Sequence, residues 1–354
     1  MVSSWGVIFD LLEALLVVSV VTVFATFAVR WVGFKLHLLD YPEPLRRMNR
    51  KPIPRNGGWA LYVAIMIGCG IYLPLELAWV QGMMVALTVI FVAGVLDDVF
   101  DLSPTVQFGA QILSALVLFY FGVSIERLSN PFATGGVTYL ELLALPVTVV
   151  WVVLIINAIN FVDGLDGLAA GMAGMASASF TLIALMQGRI FVALLCAMIC
   201  GLTIGFLPHN FHPASVFMGT TGSAILGILL ATATIEGTLK FSSAAALVLP
   251  LLILGVPFFD TSFAIARRLK NRLPVFRPDR GHVHHRLINV GYSHRRAVLI
   301  LYGWCAVMSA LGLAIGYSYL PAVIITSIAA LVGSYAMIRL LEINWRWQHK
   351  GGED

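Results

Sequence analysis

Residues 139–210 read YLELLALPVTVVWVVLIINAINFVDGLDGLAAGMAGMASASFTLIALMQGRIFVALLCAMICGLTIGFLPHN. Three apolar runs, about 139–159, 168–187 and 190–208, follow one another here with only short polar joints. A membrane-crossing helix needs ~17–25 mostly apolar residues. These runs are solidly apolar rather than alternating, so they predict helices and not the strands of a barrel. Eight further runs flank them, at about 6–30, 59–79, 81–96, 106–123, 222–236, 243–266, 297–317 and 321–341, which makes eleven. The runs at 81–96 and 222–236 are the shortest. With 59% hydrophobic residues, 11% charged residues and a mean hydropathy of +0.91, the chain cannot cover itself with polar groups as a soluble domain does at roughly 25% charged. The expected fold is an all-α polytopic membrane protein, one integral domain over residues 1–354. No internal repeat or low-complexity linker marks off a second domain.

The first run carries Asp10 and Glu13 early and Arg30 at its end, and it lacks a basic start, so it is expected to be a span and not a cleaved signal. Cys69, Cys196, Cys200 and Cys305 all fall in apolar runs. Small packing residues account for them better than a metal or redox pair, even though Cys196 and Cys200 share a helix face.

Lys and Arg mark the cytoplasmic side of a membrane protein. With the N-terminus outside and the C-terminus cytoplasmic, the inward segments are 30–57, 97–105, 160–167, 209–221, 267–296 and the tail. Seven Lys/Arg fall in 30–57, nine in 267–296 and three in the tail from Arg339 onward, against Arg127, Arg189 and Lys240 outside. The net charge of +4 therefore belongs to the inner face. It favours anionic lipid and phosphorylated substrates, not nucleic acid.

All the polar constellations fall on inward segments. Asp97, Asp98 and Asp101 in LDDVFDLSP follow directly on a span, with no cation nearby in sequence. On a continuing helix Asp97 and Asp101 would share a face, with Asp98 about 100° away. Clustered carboxylates resist ionising together unless a cation neutralises them, and Mg²⁺ with oxygen ligands suits that need. The bland alternative is a solvated helix end, with Ser103-Pro104 starting the next helix. Asn157, Asn160, Asp163 and Asp166 recur every three residues in NAINFVDGLDGL. Gly164 and Gly167 permit a helix break and close approach to a ligand. Asp-Gly twice is ordinary turn chemistry, but that does not explain two asparagines deep in an apolar run.

Residues 208–223, PHNFHPASVFMGTTGS, form an irregular loop whose glycines and hydroxyls can hold phosphate oxygens and whose Phe217 can stack on a base. Residues 276–287, FRPDRGHVHHRL, combine Arg277, Arg280 and Arg286 with His282, His284 and His285. The arginines suit phosphate and oppose zinc, while positive-inside composition does not account for three histidines in four residues. The segment from Asp40 to Gly58 adds basic groups, Lys51 among them, and a Gly pair. Together these argue for phosphoryl transfer from a soluble nucleotide donor to a lipid acceptor at the membrane surface.

In order and spacing, LDDVFDLSP, NAINFVDGLDGLAAG, NFHPASVFMG with the following Gly222-Ser223, and FRPDRGHVHHRL resemble the polyprenyl-phosphate N-acetylhexosamine-1-phosphate transferases, from Asp40 to Arg286. That family's eleven-span topology agrees with the run count. The HVHH loop is similar to the branch that uses UDP-N-acetylglucosamine for O-antigen, common-antigen or teichoic-acid linkage units. The resemblance implies a bacterial cytoplasmic-membrane enzyme that joins UDP-GlcNAc to undecaprenyl phosphate, releasing UMP. Asp97, Asp98 and Asp163 would be catalytic and, with the residue at 220, would hold Mg²⁺ (Mn²⁺ as the alternative). Asn160, Asp166, Asn210, Phe217, Gly219, Lys51, Arg280, His282, His284 and His285 would bind substrate. The partners implied are the two substrates and the bilayer, with a homodimer left open and no nucleic acid.

Three positions depart from the family. Thr220 stands where it has an Asp metal ligand, Gln107 where it often has Lys or Arg, and Asn49 where His is frequent. The first implies weakened metal binding: either a slow variant that still binds substrate, or a site reorganised around fewer charges. A transfer with another UDP-N-acetylhexosamine is a close alternative. A transporter would place its polar groups near the bilayer midplane and not at one edge. A CDP-alcohol phosphotransferase is disfavoured because Asp166-Gly167 is followed by Leu168-Ala169-Ala170-Gly171.

Overall fold

A computed structural model describes residues 4–41, 52–129, 137–239, 248–270 and 282–315, with a few positions between 325 and 335. The helices are α1 Ser4–Lys35, α2 Gly57–Tyr72, α3 Ala78–Phe100, α4 Pro104–Tyr120, α5 Ala144–Val162, α6 Leu168–Met186, α7 Ile190–Asn210, α8 Gly219–Thr234, α9 Val248–Ile253, α10 Gly255–Lys270, α11 Val283–Asn289 and α12 His294–Ile315. Among the described residues, seven helical segments are long and apolar enough to cross a membrane, and α2 and α4 are shorter apolar helices. The chain is thus an all-α polytopic membrane protein with about seven such spans. The two shortest runs lie in full elements: α3 has 23 residues, and α8 continues into a π-helical turn, Ile235–Leu239. The 243–266 run is divided at Leu254 into α9 and α10. Most of the 321–341 run lies outside the described residues.

α8 is the centre of the bundle. It is apolar all round and buried on every side, as a helix with no solvent or lipid face must be. Its neighbours α2, α3 and α5 come close enough that a Cβ on Gly58 would fall 2.3 Å from the Gly222 nitrogen, and one on Gly227 would fall 2.6 Å from Ile156 Cα. α1 packs along α7 through Gly201-Leu-Thr-Ile-Gly205. There, added Cβ atoms would lie 2.4 Å from the Leu15 carbonyl oxygen and 2.3 Å from that of Ser19. Small residues four apart allow this backbone approach, which is how helices associate where lipid removes the hydrophobic drive. The opposite face of α1 exposes Trp5, Phe9, Phe24 and Trp31.

Two short antiparallel hairpins lie between helices: β1 Leu39–Asp40 with β2 Ile53–Pro54, and β3 Arg127–Ser129 with β4 Val137–Tyr139. The first positions the site. Beyond β2, the Phe217 N–H donates to the Pro54 carbonyl at 2.8 Å, the Gly57 N–H to Phe217 at 3.0 Å and the Gly58 N–H to Met218 at 2.9 Å. The basic segment that leads into α2 is thereby stitched to the loop that leads into α8.

Candidate active site

The α3 carboxylates meet the first turn of α8. Asp98, 5% exposed, accepts the Thr220 backbone N–H at 3.0 Å on Oδ1 and the Thr221 hydroxyl on Oδ2. A carboxylate at a helix N-terminus satisfies orphan amides and complements the dipole. The approach requires glycine at 219: its φ is +71°, and a Cβ there would sit 2.9 Å from both Asp98 oxygens. Asp97, also buried, accepts from Gln107 Nε2 at 2.7 Å. Gln107 thus supplies a neutral donor to this carboxylate. Asp101 is not on the helix face expected for it. It caps α3 in the left-handed region (φ 49°) and is exposed, where it pairs with Arg55 at 3.1 Å. Arg55 also donates from Nε to the Asp98 carbonyl at 2.8 Å. A cation absent from the local sequence is therefore present in space, closing the negative end of α3.

The second constellation breaks the chain between α5 and α6, as its glycines predict, with Gly167 at φ +81°. Asn160 Oδ1 accepts the Ser223 hydroxyl at 2.9 Å, tying α5 to α8. Asp163 caps α5. Burial, then the neighbouring charges of Asp166 and Asp98, push its carboxyl from 3.8 up to about 7. Such crowding is relieved by a bound cation.

Asp166 faces the other way. Its Oδ2 lies 2.8 Å from His212 Nδ1 and accepts the Ala214 N–H at 3.1 Å, while its own N–H donates to His294 Nε2 at 2.8 Å. The His212 and His294 rings stack at 4.2 Å. Ligand atoms of Asp166, His212 and His294 lie within 4.8 Å of one another, a cluster capable of coordinating a divalent metal. Asn210 accepts the Gly167 N–H at 3.1 Å and donates to the Val216 carbonyl at 3.1 Å, so its amide links two loops of the site.

α11 lies over the α5–α6 turn. A Cβ on Gly164 would fall 2.2 Å from His284 Nε2, so only glycine admits that ring. His284 is 2% exposed, and its Nε2 has no hydrogen-bond partner among the described residues. Burial, then His285, lowers its pKa from 6.5 to about 3, so the ring is neutral. Phe161, His282, His284 and His285 form a file of rings with successive centroids 5.6, 5.6 and 4.3 Å apart. Phe217 is half-buried beside β2. Lys51, Arg280, Arg277 and Asn49 lie outside the described residues.

The structure thus brings Asp97, Asp98, Asn160, Asp163, Asp166, Asn210, Phe217, Gly219, Thr220, His282, His284 and His285 to one end of the bundle. Sequence reasoning missed Asp260, His294 and Tyr302. Tyr302 donates to the Gly167 carbonyl at 2.5 Å, and Asp260 holds His282 and Val283. A lone carboxylate inside the apolar run 243–266 was the available signal for Asp260.

The family model described as glycosyl transferase family 4 matches residues 80–238. A Bacillus subtilis protein described as a probable undecaprenyl-phosphate N-acetylglucosaminyl 1-phosphate transferase is 38% identical over 290 residues, 81% of this chain and 80% of that one. The chain belongs to glycosyl transferase family 4. The matched span of this family-4 transferase takes in Asp97 through Ser223 but ends before Asp260 and the histidine loop. A decaprenyl-phosphate N-acetylglucosaminephosphotransferase of Mycobacterium tuberculosis is 34% identical over 325 residues (83% of this chain, 80% of the relative). The Escherichia coli undecaprenyl-phosphate alpha-N-acetylglucosaminyl 1-phosphate transferase is 29% identical over 319 (84% and 82%). These alignments extend beyond the span matched by the family model.

Proposed function

We propose that this membrane transferase moves N-acetylglucosamine 1-phosphate from UDP-GlcNAc to undecaprenyl phosphate, releasing UMP, as the initiating step of a cell-envelope polysaccharide. The observation that carries the proposal is the contact of Asp98 with the α8 N-terminus, with Asp163 beside it and His284 seated on Gly164. Carboxylates, glycine-rich turn and histidines from four distant segments share one end of the bundle. Similarity to relatives described as acting on prenyl phosphates and N-acetylglucosamine points the same way. The finer topology we infer is eleven crossings, with the N-terminus outside, the C-terminus cytoplasmic and this edge at the cytoplasmic face of the bacterial inner membrane.

In this site Asp97, Asp98 and Asp163, with Asn160 and the Thr220 hydroxyl, would hold Mg²⁺. Oxygen donors clustered at a buried edge fit a hard cation, and the raised Asp163 carboxyl marks charge awaiting neutralisation. Bound there, Mg²⁺ supplies charge neutralisation to the diphosphate. The Asp166–His212–His294 cluster, with two nitrogens, suits Mn²⁺ or Zn²⁺ better than Mg²⁺. Phe217 stacks on uracil, Asn210 and Gly219 shape the nucleotide loop, and Lys51 and Arg280 bind phosphate. An oxygen of the lipid phosphate attacks the sugar-bearing phosphorus in line. The bond between that phosphorus and the bridging oxygen breaks, and the oxygen leaves with UMP. The acceptor is already an anion, so no covalent aspartyl intermediate is needed.

The test is UMP release from purified protein with undecaprenyl phosphate and a panel of UDP-sugars, with and without Mg²⁺. Release with UDP-GlcNAc that needs both lipid and metal is expected. Flux of a solute across proteoliposomes without UMP formation would displace the transferase in favour of a transporter.

A further inference from the structure

His282 is the N-cap of α11, and its Nδ1 faces a carboxylate. Asp260, on α10, is 5% exposed and engages two donors at once. Its Oδ2 lies 3.0 Å from His282 Nδ1, and its Oδ1 accepts the Val283 backbone N–H at 2.9 Å. A backbone N–H can only donate, so Oδ1 is held. Toward the ring, an ionised carboxylate has no proton to give, so opposite Oδ2 it is Nδ1 that carries the proton. The Phe161 and His284 rings each pack against it, with centroids 5.6 Å away in each case. The proton position is thus set by a carboxylate outside the histidine loop.

We propose that Asp260 is a positioning residue that locks His282 in the Nδ1–H tautomer, so that Nε2 accepts a hydrogen bond from the sugar portion of the nucleotide sugar. A neutral Nε2 carries a lone pair, which suits a sugar hydroxyl or the acetamido N–H and repels a phosphate oxygen. The role of Nε2 rests on the transfer reaction proposed above; the tautomer does not. Carboxylate partners that fix a histidine's proton from behind are a general device for orienting the working nitrogen.

Asp260→Asn gives the sharp test. In that variant the amide must present its oxygen to the Val283 N–H, because only the imidazole can change role. Its NH₂ then faces Nδ1, and the proton moves to Nε2, where it opposes a substrate donor. The full-length protein in nanodiscs, with ¹⁵N-labelled histidine and the His282→Gln variant for assignment, reads the tautomer directly. The Nδ1–H form is expected for the parent and the Nε2–H form for Asp260→Asn. KM for UDP-GlcNAc is expected to rise roughly tenfold in Asp260→Asn, the weight of one hydrogen bond. Inhibition by UMP, which lacks the sugar, should stay within twofold of the parent. Asp260→Glu, which keeps a carboxylate, should recover most of the loss.

An Nε2–H or doubly protonated His282 in the parent at neutral pH overturns the proposal, and that measurement stands even if Asp260→Asn does not fold. Equal weakening of UDP-GlcNAc and UMP would also overturn it, by assigning Asp260 a merely structural role. A parent that releases no UMP under any condition defeats the transferase assignment instead, while the tautomer remains readable.

Discussion

Thr220, which the family resemblance puts at a metal-ligand Asp position, carries the first prediction. Its backbone N–H already serves Asp98, so the backbone part of the site persists whatever its side chain. What differs is a hydroxyl in place of a charged oxygen. Thr220→Asp is expected to tighten Mg²⁺ binding roughly tenfold, since affinity for a hard cation rises with ligand charge. It should raise UMP release in step, measured by titrating the metal at saturating UDP-GlcNAc. Equal, robust rates in both proteins would mean that the site is complete without that carboxylate. His284 makes a separate prediction about pH. Its folded-state pKa, about 3, lies below its ordinary 6.5 because burial disfavours the cation. The unfolded chain therefore takes up the proton first as pH falls. The stability this residue contributes is intact above 6.5 and is lost between 6.5 and 3, with a slope of about 1.4 kcal/mol per pH unit at most. Thermal unfolding across that window should show the slope in the parent and its reduction in His284→Gln.

Helices and turns act as linked units in this molecule. The α5–α6 turn is held by α7 through Asn210, by the following loop through His212 and Ala214, and by α12 through His294 and Tyr302. The hydropathy of the chain made most of the long described helices legible to within a few residues, because long apolar runs admit no other structure in lipid. The 59–79 run, however, ends as a helix at Tyr72, the 243–266 run is split at Leu254, and the short α11 was not among the runs. The break at Gly164–Gly167 was legible for the same local reason. The partners of that turn were not, since His294 lies 128 residues from Asp166 and nothing in its own neighbourhood marks it. The expected start of its run at 297 also left it outside the helix, whereas α12 begins at His294. Asp97 and Asp98 were legible as a pair, but their division of labour, one on Gln107 and one on α8, depends on packing that no local pattern encodes. The α1–α7 seam can be tested as an element. Gly201→Ile places a branched side chain where a Cβ alone meets the Leu15 carbonyl at 2.4 Å. It should destabilise the protein by about 1–3 kcal/mol through forced separation of the helices, read as a lower unfolding temperature in detergent with UDP-GlcNAc KM unchanged.

Across the whole molecule, hydrogen bonds among the ends of α3, α5 and α7 and the starts of α2, α6, α8 and α12 require those termini to lie on one side. In a chain lacking its native cysteines, Asp101→Cys and Tyr292→Cys should react with an impermeant maleimide only from the cytoplasmic side of membrane vesicles, and Leu142→Cys only from the opposite side. All three positions are exposed, Leu142 at 93%. Labelling of Asp101→Cys and Tyr292→Cys from different sides would divide the site and remove the transferase with it. The length of α1 bears on how the lipid substrate is met. Its 32 residues extend about 48 Å, well beyond the roughly 30 Å of hydrocarbon in a bilayer. Its last turns, where Lys35 lies over Trp31, run beside the β1–β2 hairpin. An isoprenoid tail can consequently stay dissolved among the acyl chains throughout a reaction cycle. Its terminal anion is then the part that has to meet a water-borne sugar nucleotide.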